Sequence, residues 1–231
     1  MANKIDKHAR LDKDYKVKLD IKGNRKACAK FFQDVGQYQM PEFDKLMITG
    51  VNKVDLSMLS DFNKFLSYSV GSPIQELYFE TLKRYDICHF SQGLEEILKR
   101  VKKSCSFKMF NLKNDDMSMI FDNLHDAEIL EFNECDIEQI NCGFKIRSGK
   151  PYKLEKIKFS LSTSKLTEEQ IYRFFTHLTD AMLNTNLVQV LKEVHLVSPV
   201  LNTQQIQKLL NGKGFSLKRV KSEKVQDILV F

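Results

Sequence analysis

Five histidines, five cysteines and one adjacent pair of aspartates are the side chains of this 231-residue chain best equipped for chemistry. The histidines are His8, His89, His125, His177 and His195, and none falls in H-E-x-x-H or another ligand spacing. The cysteines are Cys28, Cys88, Cys105, Cys135 and Cys142. They form no C-x-x-C, and Cys135 and Cys142 stand too far apart for a zinc knuckle. Cys88 and His89 are neighbours, so their side chains diverge on a strand or a helix. A thiol nucleophile here would need a base from elsewhere in the fold. Asp115-Asp116 resembles an acidic catalytic pair. The apolar pattern around it instead gives Asp115 a turn role and sets Asp116 beside a helix N-terminus, where the dipole stabilises a carboxylate. No Walker A loop, dinucleotide fingerprint or kinase set occurs. The expectation is a protein that is not an enzyme, with no cofactor and no metal centre.

Apolar residues make up 42% and charged residues 29%, the balance of a chain that folds around its own core in water. No run of about 18 apolar residues exists, so no membrane span is expected. Met1–Lys30 has no apolar leader segment, and Asp6, Asp12, Asp14 and Asp20 interrupt its positive charge. With unpaired thiols read as buried apolar groups, this points to a reducing intracellular location, cytoplasmic or cytoskeletal. Import into an organelle by an uncleaved signal stays open. The net charge of +6 is concentrated at the ends, within Lys4–Lys30 and Lys208–Lys224, and the middle is acidic. Such ends suit an anionic partner or simple solvation.

Two periods alternate along the chain. Apolar-x-apolar kernels of the strand period occur at Val17-Lys-Leu19-Asp-Ile21, Leu46-Met-Ile48, Leu77-Tyr-Phe79, Phe110-Asn-Leu112, Leu130-Glu-Phe132, Ile157-Lys-Phe159 and Val194-His-Leu196. Leu217-Lys-Arg-Val220 is an eighth candidate. Between them lie helical stripes: Leu59, Phe62, Phe65 and Leu66; Leu94, Ile97, Leu98 and Val101; Met117, Ile120, Phe121 and Leu124; Ile171, Phe174, Phe175, Leu178 and Met182; Ile206, Leu209 and Leu210. A further helix is expected over 24–35. Glu95/Lys99 and Glu96/Arg100 are i,i+4 pairs on the second stripe. Thr167-Glu-Glu-Gln170 is a capping box. Asn202 can start the last helix, and Gly212 and Gly214 can end it. Asn141–Lys153, with Gly143, Gly149 and Pro151, reads as a loop on the helix side or at a rim, with Phe144-Lys-Ile146 a candidate strand fragment.

The kernels begin at 17, 46, 77, 110, 130, 157, 194 and 217, at intervals of 29, 31, 33, 20, 27, 37 and 23. A doubly wound α/β sheet also alternates strand and helix. It would need near-continuous apolar strands and a glycine-rich phosphate elbow, and neither is present. Leu130-Glu-Phe132-Asn-Glu-Cys135-Asp-Ile137 reads L-x-L-x-x-C-x-I. Phe110–Met117 and Val194–Leu201 are looser copies, with Asp115 and Pro199 in the place of that cysteine; the Ile157–Leu166 copy has extra turn residues. On these segments the chain resembles a divergent leucine-rich repeat protein of the ribonuclease-inhibitor-like kind. The resemblance covers about residues 15–221 and implies an α/β solenoid with a parallel sheet on the concave face and helices on the convex face. It also implies that the Cys135 slot hydrogen-bonds turn backbone along the stack. Residues 1–14 would be a basic tail. Residues 15–231 would be the repeat domain, closed by a hairpin over Ser216–Phe231 that turns at Ser222–Lys224.

In that frame the residues between and after the apolar pairs line the concave face. They are Lys18, Asp20, Met47, Thr49, Tyr78, Glu80, Asn111, Lys113, Glu131, Asn133, Lys158, Ser160, His195 and Val197. The candidate partner contacts are Met47, Tyr78, Glu80, Asn111, Lys113, Glu131, Asn133, Lys158 and His195. The set mixes both signs with no basic stripe, which suits a protein surface better than a nucleic acid. The expected function is a non-catalytic protein–protein interaction scaffold, a subunit or adaptor of a larger complex. The alternatives are a substrate-recognition adaptor of the ubiquitin-ligase type, or RNA or polyanion binding through the basic ends.

Overall fold

The structure, a computed structural model, describes residues 16–21, 25–35, 43–68, 73–140, 142–147, 149–161, 166–197, 203–215 and 219–223. Strands are β1 (Lys16–Asp20), β2 (Phe43–Thr49), β3 (Ile74–Asp86), β4 (Val101–Asn111), β5 (Ile129–Asn133), β6 (Lys156–Ser160), β7 (Glu193–Val197) and β8 (Arg219–Glu223). Helices are α1 (Arg25–Val35), α2 (Leu56–Tyr68), α3 (Ser91–Leu98), α4 (Asn114–Asn123), α5 (Glu168–Met182), the single turn α6 (Leu187–Val190) and α7 (Thr203–Gly212). The eight strands form one sheet in chain order, β1 through β8. Every neighbouring pair is parallel.

Burial alternates along β5 and β6, as the strand period requires. Leu130, Phe132, Ile157 and Phe159 are buried, and the residues between them stay partly exposed. The buried side chains join the helices' apolar stripes in one core. Phe79 meets Phe62 of α2 at 6.3 Å and Phe90 at 5.8 Å, and Phe159 meets Phe174 of α5 at 5.1 Å. Within the sheet the inward residues line up in register as Leu19, Ile48, Phe79, Phe107, Phe132, Phe159 and Leu196. Phe107 stacks on Phe132 at 5.8 Å, and Phe132 on Phe159 at 5.0 Å.

The helices α1 to α4 pack successively on one another. Their close approach depends on Gly93, where a Cβ would sit 2.8 Å from the Asn63 carbonyl oxygen and 2.8 Å from Leu66 Cβ. The Thr167 capping box forms as expected: Thr167 N–H donates to Gln170 Oε1 at 2.8 Å, and Gln170 N–H to Thr167 Oγ1 at 3.3 Å. At the end of α7, Gly214 is left-handed (φ 83) and Phe215 N–H bonds the Leu210 carbonyl at 3.1 Å. This is a glycine-terminated helix with Phe215 and Leu210 both buried behind it. On α3, Glu96 pairs with Lys99, three residues on, at 2.6 Å.

The fourth strand corrects the kernel spacing. Its partner residues are Cys105, Ser106 and Phe107, opposite Leu77, Tyr78 and Phe79 on one side and Leu130, Glu131 and Phe132 on the other. Phe110-Asn-Leu112 lies further along, past a register shift between Glu80 and Tyr85 of β3. The eighth strand pairs through Val220 rather than Leu217. Kernels therefore begin at 17, 46, 77, 105, 130, 157, 194 and 220, at intervals of 29, 31, 28, 25, 27, 37 and 26. The long interval accommodates the 15-residue α5 plus the extra turn α6. Asp115 is exposed in the first turn of α4 rather than in a repeat turn. Ser222 and Glu223 are strand, so no turn begins at Ser222. Residues 1–14, Asn141, Pro199, Asn202 and 224–231 lie outside the described residues.

Between β5 and β6 a coil takes the place of a helix. Phe144 is not in a strand; it is buried on the helix side and stacks on Phe121 of α4 at 6.2 Å. Cys135 is buried and its thiol faces the carbonyl of Phe107, a strand residue of β4 rather than a turn, at 3.5 Å. Three residues after the inward residue of β2, β3 and β4, where Cys135 stands after Phe132, the chain has Val51, Leu82 and Phe110, none of which can make such a side-chain bond.

Three strands share one backbone device. Gly50, Met109 and Glu134 each stand two residues after the inward residue of their strand, and each is left-handed, with φ 74, 64 and 56. That conformation costs a non-glycine residue about 1 kcal/mol. Gly50→Ala is expected to lower unfolding stability in urea by about 1 kcal/mol, and Glu134→Gly to raise it by about 0.5 kcal/mol, the relief being partly offset by unfolded-chain entropy. Equal and same-signed effects at the two positions would contradict the shared turn geometry.

Candidate functional site

The sheet face turned away from the helices is the surface on which the sequence-derived contacts were expected. Register sets its rows. One runs Lys18, Met47, Tyr78, Ser106, Glu131, Lys158 and His195. The next runs Asp20, Thr49, Glu80, Lys108, Asn133, Ser160 and Val197. Met47, Tyr78, Glu80, Glu131, Asn133 and Lys158 therefore share one partly exposed face. His195 shares the row but is buried, at 8% exposure, as Val197 is in the next row.

Asn111 and Lys113 do not belong to these rows. The register shift carries them past the end of the paired region, where both hold Asp86: Asn111 Nδ2 donates at 2.9 Å and Lys113 Nζ at 2.6 Å. Their places on the face are taken by Ser106 and Lys108. Cys105-Ser106-Phe107 carries the required alternation once cysteine is counted as apolar, and that signal could have found them.

Charges on the face are matched across strands. Lys45 pairs with Glu76 at 3.2 Å, and Lys103 reaches the same carboxylate at 3.4 Å. Lys108 pairs with Glu80 at 3.0 Å, and Lys156 with Glu193 at 3.5 Å. Asn133 Nδ2 donates to Ser106 Oγ at 3.0 Å. Burial alone would raise the Glu76 carboxyl, but hydrogen bonds and charge from Lys45 and Lys103 outweigh it and hold its pKa low. The hydrogen bond to Glu80 raises Lys108. Burial raises the Tyr78 phenol, and the Glu80 carboxylate adds to this. Tyr78 is therefore an uncharged anchor of mixed polar and apolar character between paired charges.

Comparison with known proteins identifies no relative. No family model, no curated protein and no solved structure matches the chain.

Apart from His195, the described chemistry-bearing residues lie away from this face. Cys88 is exposed, but burial of its sulfur raises the thiol pKa and the Asp116 charge adds to the shift, so the thiolate is disfavoured. His89 packs its ring on Tyr85 at 5.2 Å. Asp116 is buried and accepts the Lys113 backbone N–H at 2.8 Å, serving the start of α4 as expected; burial raises its carboxyl. Cys28, Cys105 and Cys135 are buried, and burial pushes the Cys135 thiol up to about 12. Among the described residues no three His, Cys, Asp or Glu side chains are grouped to hold a metal ion. No described helix is long and apolar enough to cross a membrane.

Hydrogen bonds from Lys113 and Asn111 lower Asp86, and a hydrogen bond from Lys102 lowers Asp126, with Lys153 adding to it. With Glu76, these are acids whose folded pKa lies below the unfolded value. Their stabilisation is present above the unfolded carboxyl range, about pH 4, and disappears as pH falls through the folded values. The side chains are part-exposed, so each contributes at most about 1 kcal/mol. Melting temperature should fall as pH drops below about 4, and Glu76→Gln with Asp86→Asn should flatten that fall. An unchanged slope in the double variant would show that these pairs contribute nothing.

Proposed function

We propose that this chain is a solenoid of the leucine-rich-repeat kind and acts as a non-catalytic scaffold that holds a protein partner on its helix-free sheet face. In this reading the helix layer is convex and the open face concave. Helices pack about 8–10 Å apart while strands lie about 4.8 Å apart, so helices on one side only bend the sheet towards its bare side. The observation that carries the reading is the sheet itself: strands in strict chain order, buried on one face and, apart from Thr49 and Ser106, part-exposed on the other from β2 to β6.

The face also favours protein over polyanion. Of its lysines, Lys45, Lys108 and Lys156 pair with cross-strand carboxylates, while Lys18 and Lys158 stand at separate places in the row. A nucleic-acid groove would instead leave a continuous positive stripe. Tyr78 and Met47, adjacent in register, supply the kind of large, adaptable contact that dominates protein interfaces.

The test uses the full chain to isolate a partner under native conditions, followed by variants on both faces. Tyr78→Ala and Met47→Ala should each weaken partner binding roughly tenfold or more, with melting temperature little changed. Tyr172→Ala and Leu183→Ala, exposed residues of the helix side, should leave it intact. Loss of binding with the helix-side variants alone would refute the open-face reading.

A further inference from the structure

We propose that the coil between β5 and β6 is the joint of the molecule, a strap whose opening lets the β1–β5 block and the β6–β8 block bend against each other. This goes beyond the binding reading and does not depend on it. The helix layer is interrupted there: α1 to α4 pack in succession and α5 packs with α7, but α4 and α5 do not pack on each other in this way. The sheet is continuous across the same point, with five residues of β5 paired to β6 and Phe132 stacked on Phe159. One layer is thus hinged while the other is bridged.

Tyr152 is the centre of the bridge on the helix side; the His125 ring packs on it at 4.6 Å, and nearer the sheet Glu155 bonds the backbone of Glu128 and of Lys192. Tyr152 is buried, and its hydroxyl donates to the Phe121 carbonyl at 2.8 Å. That carbonyl belongs to the last turn of α4, where the helix has no partner of its own to offer. On the other side, Tyr152 N–H donates to Asn186 Oδ1 at 2.8 Å and Asn186 Nδ2 donates back to the Tyr152 carbonyl at 3.0 Å. Asn186 stands between α5 and α6. One tyrosine therefore holds the end of α4 with its hydroxyl and the far block with its backbone. The Phe144–Phe121 stack and the bond from Arg147 N–H to Asp122 Oδ1, at 2.6 Å, fasten the coil to α4 alone. Between α1 and α2, by contrast, neighbouring helices meet directly through aromatic side chains, as Phe32 on Phe62 at 5.0 Å. A direct helix–helix contact resists opening as a unit, whereas a coil held by single side chains and hydrogen bonds opens locally.

Hydrogen exchange of the full chain tests the strap. The amides of Arg147 and Tyr152 should exchange at least about tenfold faster than those of Phe65 and Phe175. Tyr152→Phe should speed the strap amides by roughly a further five- to tenfold, the worth of one hydrogen bond, and leave the cores of α2 and α5 unchanged. Asn186→Ala should do the same from the other side, and serves if Tyr152→Phe fails to fold. Spin labels at Cys88 and at Asn184→Cys, in a Cys142→Ser background, read the bending. Their distance distribution should broaden when the strap is weakened. Equal protection of strap and helix cores in the parent, uniform acceleration of all elements in the variants, or an unchanged distance distribution would each overturn the proposal.

Discussion

The rest of the structure depends on the registered row of phenylalanines, one from each central strand. Strands lie about 4.8 Å apart, close to the offset-stacking distance of two rings. Phe107, Phe132 and Phe159 exploit this coincidence, stacked at 5.8 and 5.0 Å and fully buried. Each ring both fills the space under the helices and fixes the position of the next strand. At β3 the row bends. Phe79 meets Phe107 edge-on at 6.4 Å and stacks instead on Phe110 at 5.3 Å. The register between β3 and β4 shifts beyond the same place. A ring from the end of β4 has taken the stacking partner's place there.

Because side chains alternate, an inward phenylalanine dictates an outward neighbour. Fixing Phe79, Phe132 and Phe159 towards the helices places Tyr78, Glu131 and Lys158 in one row on the bare face. The core thus sets the composition of the surface proposed to bind. A slip of one residue in any strand from β3 to β6 would bury a charge and expose a ring. The left-handed residues Gly50 and Glu134 follow β2 and β5 directly, at the same distance from that row, while Met109 at that distance lies inside β4.

Much of this was legible in the sequence, and the failures have physical causes. Strands with strict alternation, such as β5 and β6, were readable because one face is dry and the other wet. The Thr167 box and the Gly214 ending were readable because their chemistry is local. The fourth strand was misplaced because β4 carries two apolar-x-apolar kernels, Cys105-Ser-Phe107 and Phe110-Asn-Leu112, separated by the left-handed Met109. Alternation cannot choose between them; the neighbouring strands do. That choice moved Asn111 and Lys113 off the face and put Ser106 and Lys108 on it. The burial of His195 departs from the alternation of β5 and β6, since Val194 to Val197 are buried in succession on both faces of β7. The Asn141–Lys153 loop was readable from its glycines and proline. That Tyr152 would hold two helical blocks together was not, because its partners Phe121 and Asn186 are 31 and 34 residues away.

A double-mutant cycle along the phenylalanine row tests the central claim most directly. Phe107→Leu and Phe132→Leu, alone and together, should show a coupling of about 0.5–1.5 kcal/mol in unfolding free energy, the worth of a stacked pair. Phe79→Leu and Phe159→Leu, two strands further apart, should be additive within about 0.5 kcal/mol. Additivity at the adjacent pair, or coupling as strong at the distant one, would contradict the register on which both the core and the open face rest.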